Sequence, residues 1–147
     1  MPLLADVAVA AEVFVLGGGL PVTPQGTYVF VERGFGRFAS LRGGVMGGRA
    51  RTADASAGFT AGRLDACARV SLGPVRFALG CVGLAVGGTL RSGFGRSGFV
   101  APVIGLGVRV PAGVHFELAS DVELLLPIAG ATLPAISWGV GPCVRFL

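Results

Sequence analysis

The sequence predicts an all-β chain: an antiparallel, up-and-down transmembrane β-barrel of about eight strands. Three observations lead there. Hydrophobic residues make up 52% of the 147 residues and charged residues only 14%, against roughly 25% charged in a soluble domain. No run of about 18 uninterrupted apolar residues is available to cross a membrane as a helix. Apolar residues instead alternate with glycine or charge, the period of a strand with two unlike faces. In lipid every backbone polar group needs an internal partner, so a chain of this kind has to close into a barrel.

Other bulk features agree. Mean hydropathy is +0.76. The 26 glycines are spread along the chain, not gathered in a linker, and glycine is costly inside helices. Val, Phe and Leu sit in alternation, as strands favour. The formal net charge is +4, and every basic residue is Arg. The arginines are scattered singly among apolar residues, not clustered with exposed aromatics, so the composition excludes nucleic acid as a partner. The N-terminal Met1-Pro2-Leu3-Leu4-Ala5-Asp6 lacks a basic start, and Glu12 interrupts the apolar stretch that follows. No export signal is legible there. The reading over 1–147 is one barrel domain, either a mature chain or the C-terminal part of a longer one.

Eight segments read as strands, at 6–16, 26–33, 36–48, 57–72, 76–90, 99–110, 114–127 and 135–147. Most reach the roughly 9–11 residues that a tilted strand needs to cross. Arg33-Gly34-Phe35-Gly36, Gly73-Pro74-Val75 and Pro111-Ala112-Gly113 read as tight turns. Gly17 to Gln25, Arg49 to Ser56, Arg91 to Gly98 and Ala129 to Pro134 read as longer loops, including the glycines at 17–19, 93, 95 and 98. Short turns at one end and longer loops at the other put both termini at the short-turn end.

The two faces differ sharply. In the last segment Ile136, Trp138, Val140, Pro142, Val144 and Phe146 oppose Ser137, Gly139, Gly141, Cys143 and Arg145. In the seventh, Val114, Phe116, Leu118, Val122, Leu124 and Leu126 oppose His115, Glu117, Asp121 and Glu123. In the fourth, Leu64, Ala66, Ala68, Val70 and Leu72 oppose Arg63, Asp65, Cys67, Arg69 and Ser71. The glycine-and-charge face is too sparse for a water-facing exterior. It suits a narrow lumen, with the apolar face toward lipid. Trp138, Tyr28 and several Phe are candidates for interfacial girdles.

On this pattern the chain resembles the small eight-stranded outer-membrane barrels of Gram-negative bacteria, over essentially its whole length. The resemblance implies a cell-envelope protein of the bacterial outer membrane, porin-like in build, with outer-membrane lipid and the barrel-assembly machinery as partners. Such barrels typically close on a strand ending in Phe. Here the end is Val144-Arg145-Phe146-Leu147, with the Phe one position early. The terminal part of a larger barrel and a soluble barrel are the alternative architectures.

Candidate chemistry is sparse. Glu12, Glu32, Arg42, Arg63, Asp65, Arg69, Arg109, His115, Glu117, Asp121, Glu123 and Arg145 are all expected inward. An eight-stranded barrel is only wide enough to be filled by side chains. The expectation is a salt-bridged lumen in preference to a conduit, because buried charges must pair. His115, Glu117 and Asp121 superficially form an acid–base cluster, but Ser120 has the opposite parity and cannot reach it. One His without neighbouring ligands makes no metal site. No GxxxxGK[ST] and no Lys occur, so no phosphate loop is present and no cofactor is expected. If Gly73-Pro74-Val75 is a three-residue turn, Leu72 pairs with Arg76 and Cys67 falls opposite Cys81, within disulfide reach in an oxidising periplasm. Cys143 is expected to be a free thiol.

The function expected is therefore a structural, adhesive or envelope-interaction role with no catalytic residues. A lipid-modifying enzyme of the outer membrane and a soluble lipocalin-like barrel binding an apolar ligand are the alternatives.

Overall fold

A computed structural model of the chain describes residues 7–18, 25–36, 38–51, 56–72, 75–91, 95–126, 128 and 135–146. Eight strands follow one another: β1 (Val7–Gly18), β2 (Gln25–Phe35), β3 (Ala39–Arg51), β4 (Ser56–Leu72), β5 (Val75–Arg91), β6 (Gly95–Pro111), β7 (Phe116–Leu125) and β8 (Ala135–Phe146). Each pairs antiparallel with its sequence neighbours, and β8 returns to β1, closing the barrel. The seam runs from Val7 opposite Phe146 to Gly18 opposite Ala135.

Parity sorts the side chains. Val29, Val31, Leu41, Val45, Leu64, Val82, Ile104, Leu106, Val122 and Val140 point outward and are exposed. Phe35, Phe38, Phe116 and Phe146 form an exposed aromatic girdle at the short-turn end, with the Arg33 guanidinium 5.4 Å from the Phe35 ring. Among the described side chains, the outward charges are Arg33 at this end and Arg49 at the other. On β3 the uncharged outward positions run from Ala39 to Gly47. Ala39 to Arg49 spans about 34 Å of strand, which a tilt of about 40° reduces to roughly the 25 Å apolar band of outer-membrane barrels.

Several expectations need correction. Strand pairing extends through much of the expected loops at Arg49 to Ser56 and Arg91 to Gly98, because Arg51 pairs with Ser56 and Arg91 with Gly95. Gly17, Gly18, Gly95 and Gly98 are strand residues, while Gly19 and Gly93 lie outside the described residues. β4, β5 and β6 reach 17 residues each, beyond what one crossing needs. The turn after β6 is longer than Pro111-Ala112-Gly113, because the Ala112 N–H donates to the Phe116 carbonyl at 2.9 Å. Tyr28 is no girdle residue. Its inward parity buries it to 2% exposure.

Leu72 stands opposite Val75, not Arg76. A register shift between Val70 and Leu72 compensates, so Val70 still pairs with Ala78 and Cys67 with Cys81. The bulge absorbs the residue that a shorter connection would otherwise have taken from the register.

Inward glycines make space for large neighbours. A Cβ at Gly83 would collide with Asp65, and one at Gly107 with the Asp121 carboxyl. Gly80, facing outward, has nothing within 4 Å of that position. Gly83→Ala should therefore cost about 1–3 kcal/mol through overpacking, while Gly80→Ala stays within about 0.5 kcal/mol. Leu106→Arg should cost about 2–4 kcal/mol if it lies near the bilayer midplane. Urea titration of folding into lipid vesicles measures all three. Arg at Gly105 or Gly139 should also impair folding, since an added Cβ there would already lie 3.1 Å from the Glu123 side chain or 3.2 Å from that of Phe14.

Candidate functional site

The lumen is filled in layers. Toward the loop end Phe14, Phe59, Met46, Phe99 and Leu125 form an apolar cap, with Phe14 and Phe59 ring centroids 5.9 Å apart. The charges fill the middle. Cys67, Cys81 and Leu79 pack toward the short-turn end.

Among the described residues, the charged layer brings together five buried arginines and six buried carboxyls. Arg42 bridges Asp65 at 3.1 Å and Asp121 at 3.4 Å, with Glu123 at 3.8 Å. Arg63 bridges Asp65 at 2.8 Å and also holds Glu123. Arg109 bridges Asp121 at 3.3 Å. Glu32 gathers Arg69 at 2.8 Å, Arg145 at 3.4 Å and Arg109 at 3.8 Å. Arg145 also holds Glu117 at 2.6 Å. Glu12 is buried in the same layer.

The strands position these groups by pairing large residues with small ones. Ala8 sits between Glu32 on β2 and Arg145 on β8. Its methyl leaves room for the guanidinium to reach over β1. Gly44 and Ala85 flank Arg63 in the same way. Tyr28 and Phe30 supply aromatic faces, with Arg63 4.6 Å from the Tyr28 ring and Arg42 4.9 Å from the Phe30 ring. Such contacts add about 0.5–2 kcal/mol where water is excluded. An internal space lined by Glu12, Phe14, Tyr28 and Met46 holds only about 10 Å³, the lower edge of what one water occupies, roughly 10–15 Å³. That space is too small for an apolar ligand.

His115 is corrected. It lies exposed in the turn before β7, and its backbone carbonyl accepts the Arg145 N–H at 2.8 Å. The turn residues lie outside the alternation of β7, so parity does not carry His115 inward. Ser120 faces the outer wall, where its hydroxyl accepts the Trp138 indole N–H at 3.2 Å. No acid–base cluster with a nucleophile exists among these residues. Among the described residues no three metal-ligating side chains come together. Cys67 and Cys81 are joined in a disulfide with Cα atoms 4.1 Å apart, and Cys143 is a buried free cysteine.

Sequence reasoning missed a basic rim. Arg49 and Arg51 on β3, Arg91 on β5 and Arg96 on β6 all hold positions at the loop end of neighbouring strands. The segments at 19–24 and 126–134 contain no charged residue, and 52–55 contains a single acid, Asp54. The loop-end charge is thus confined to the β3–β6 side. Its signal was the flanking of two connections at the same end by arginine.

No protein-family model matches the chain, and no curated protein matches its sequence. Solved structures do. Neisserial surface protein A superposes with a TM-score of 0.71 at 10% identity, over 97% of both chains. Ail, the attachment invasion locus protein of Yersinia pestis, in complex with the heparin analogue sucrose octasulfate, gives 0.67 at 16% identity, over 97% of both chains. The N-terminal β-barrel domain of Pseudomonas aeruginosa OprF gives 0.60 at 16% identity, over 97% of this chain and all of that one. These neighbours are bacterial outer-membrane barrels, and the chain shares their eight-stranded fold.

Glu32→Gln removes the charge that three arginines share, so it should cost about 3–5 kcal/mol. Glu12 takes part in none of the ion pairs described above, so Glu12→Gln should cost about 1 kcal/mol or less. Urea midpoints in detergent rank the two. In material folded under oxidising conditions, peptide mapping without reduction should find Cys67 linked to Cys81 and Cys143 alkylatable after unfolding. A Cys143-containing cross-link would contradict the pairing.

Proposed function

We propose that the chain is an integral outer-membrane barrel with no transport conduit, acting in adhesion or envelope interaction through its loop-end rim. One observation carries this reading: an apolar exterior bounded by a phenylalanine girdle surrounds a lumen closed by salt bridges and aromatic rings. A water-soluble barrel has the reverse arrangement, with its apolar face inside. The lumen is spent on packing, so recognition falls to the ends. Four arginines against one aspartate at the loop end make anionic groups the favoured ligand class. The sulfated sugar bound to Ail supports that class by analogy of fold. Outer-membrane lipid surrounds the barrel, and the terminal strand with Phe146 is what the assembly machinery would read. An enzymatic reading finds no support, because Ser120 and His115 lie on different surfaces.

The test is reconstitution of the full chain. It should enter vesicles with β-rich circular dichroism and, in planar bilayers, give no ion-conducting steps. Solubility as a monomer without detergent overturns the membrane placement. Steady conductance overturns the closed lumen.

A further inference from the structure

The outer wall of β3–β6 is unlike the rest of the barrel. Two rows of paired positions run across the four strands at the loop end. The first is Arg49, Gly58, Leu90 and Arg96. The next, one step into the apolar band, is Gly47, Thr60, Gly88 and Gly98. Three of the four positions in the second row have no side chain. Below them the wall opens into a shallow groove of about 630 Å³ on β3, β4 and β5, bordered by Leu41, Leu64, Val82 and Val86. Gly62 lies in it, and a Cβ there would meet nothing within 4 Å. Ligand clefts commonly span about 300–1,000 Å³.

The register joins the two features. Gly62 lies four residues from Gly58 on β4, about 13 Å of strand at 3.3 Å per residue. That is within one leaflet of a hydrocarbon core about 30 Å thick. Arg49 is exposed, and its row places it three strands from Arg96, about 14 Å at 4.8 Å per strand. The result is a cationic edge, a glycine-rich passage and an apolar groove, in that order, on the same strands. At the loop end β1, β2, β7 and β8 finish in Gly18, Gln25, Leu125 and Ala135, with no charge.

From this juxtaposition we propose that the β3–β6 wall is a docking site for one phosphorylated lipid of the surrounding leaflet. Its phosphates lie at Arg49 and Arg96, and an acyl chain lies along Gly88 and Gly62 into the groove. This inference rests on the membrane placement proposed above and gives the basic rim a lipid-borne ligand. Arginine suits phosphate because its planar fork donates two parallel hydrogen bonds. The groove suits an acyl chain because missing side chains leave wall atoms without packing partners.

Native mass spectrometry of the full chain, refolded in maltoside micelles, tests this with diphosphorylated lipid A, dephosphorylated lipid A and sucrose octasulfate as probes. The wild type should retain one diphosphorylated lipid A at least tenfold more than the dephosphorylated form. Arg49→Ala with Arg96→Ala should remove that preference. Gly62→Leu, which fills the groove, should lower lipid retention about tenfold and leave sucrose octasulfate binding unchanged. Circular dichroism reports folding, and Ala66→Leu replaces Gly62→Leu if the latter does not fold. Equal retention of both lipids overturns the proposal. So does lipid retention that the groove-filling variant leaves intact, although an anion-binding rim would survive that result. Failure of the wild type to enter vesicles instead defeats the membrane placement itself.

Discussion

The pairing of β1 with β8 is the contact on which the rest depends. A sheet with free edges presents unpaired N–H and C=O groups, each costing several kcal/mol in hydrocarbon. The seam between Val7–Gly18 and Ala135–Phe146 removes both edges at once. Closure also creates an inside. Until the ring shuts, Glu12, Glu32 and Arg145 are polar residues on a sheet face. Afterwards they are buried to 2% exposure or less and must find one another.

That demand organises the lumen. Its ion pairs link residues remote in sequence: Arg63 with Glu123, Arg42 with Asp121, Arg145 with Glu32. Each therefore ties strands that are not neighbours in the sheet or reaches over the one between. Buried pairs are weak sources of net stability but costly to break. Their value here is in register. A one-residue slip turns every side chain to the other face, so it would strip carboxylates from guanidiniums and push charge onto the apolar outer face. The inward glycines follow from the same crowding, since Gly83 and Gly107 lie where Asp65 and Asp121 need the volume. The Cys67–Cys81 link fixes one hairpin in that register, with the bulge at Val70 to Leu72 absorbing the offset at its turn.

The barrel is lopsided outside as well. β4, β5 and β6 are 17 residues long, β7 only 10. The long side carries the loop-end arginines and the glycine-rich outer rows; the short side carries Trp138 with its hydrogen bond to Ser120. In that pair two polar groups of the outer wall satisfy each other, which lets them lie among apolar neighbours at little cost.

Much of this was legible from the sequence because a strand's side chains alternate with period two, and that rule is local. Strand number, the outward-facing and lumen-facing sets, the exclusion of a helical span and the inward parity of Cys67, Cys81 and the buried acids and arginines all follow from it. It failed where the alternation stops. His115 lies in a turn, so its parity with Glu117 meant nothing. Arg51, Arg91, Gly95 and Gly98 looked like loop residues, yet a paired neighbour holds them in strands. Tyr28 had girdle chemistry but inward parity, and position decided. Which arginine meets which carboxylate, and that Arg49 and Arg96 share one row across four strands, depends on shear and closure. Those are properties of the ring as a whole, and no local segment of the chain encodes them.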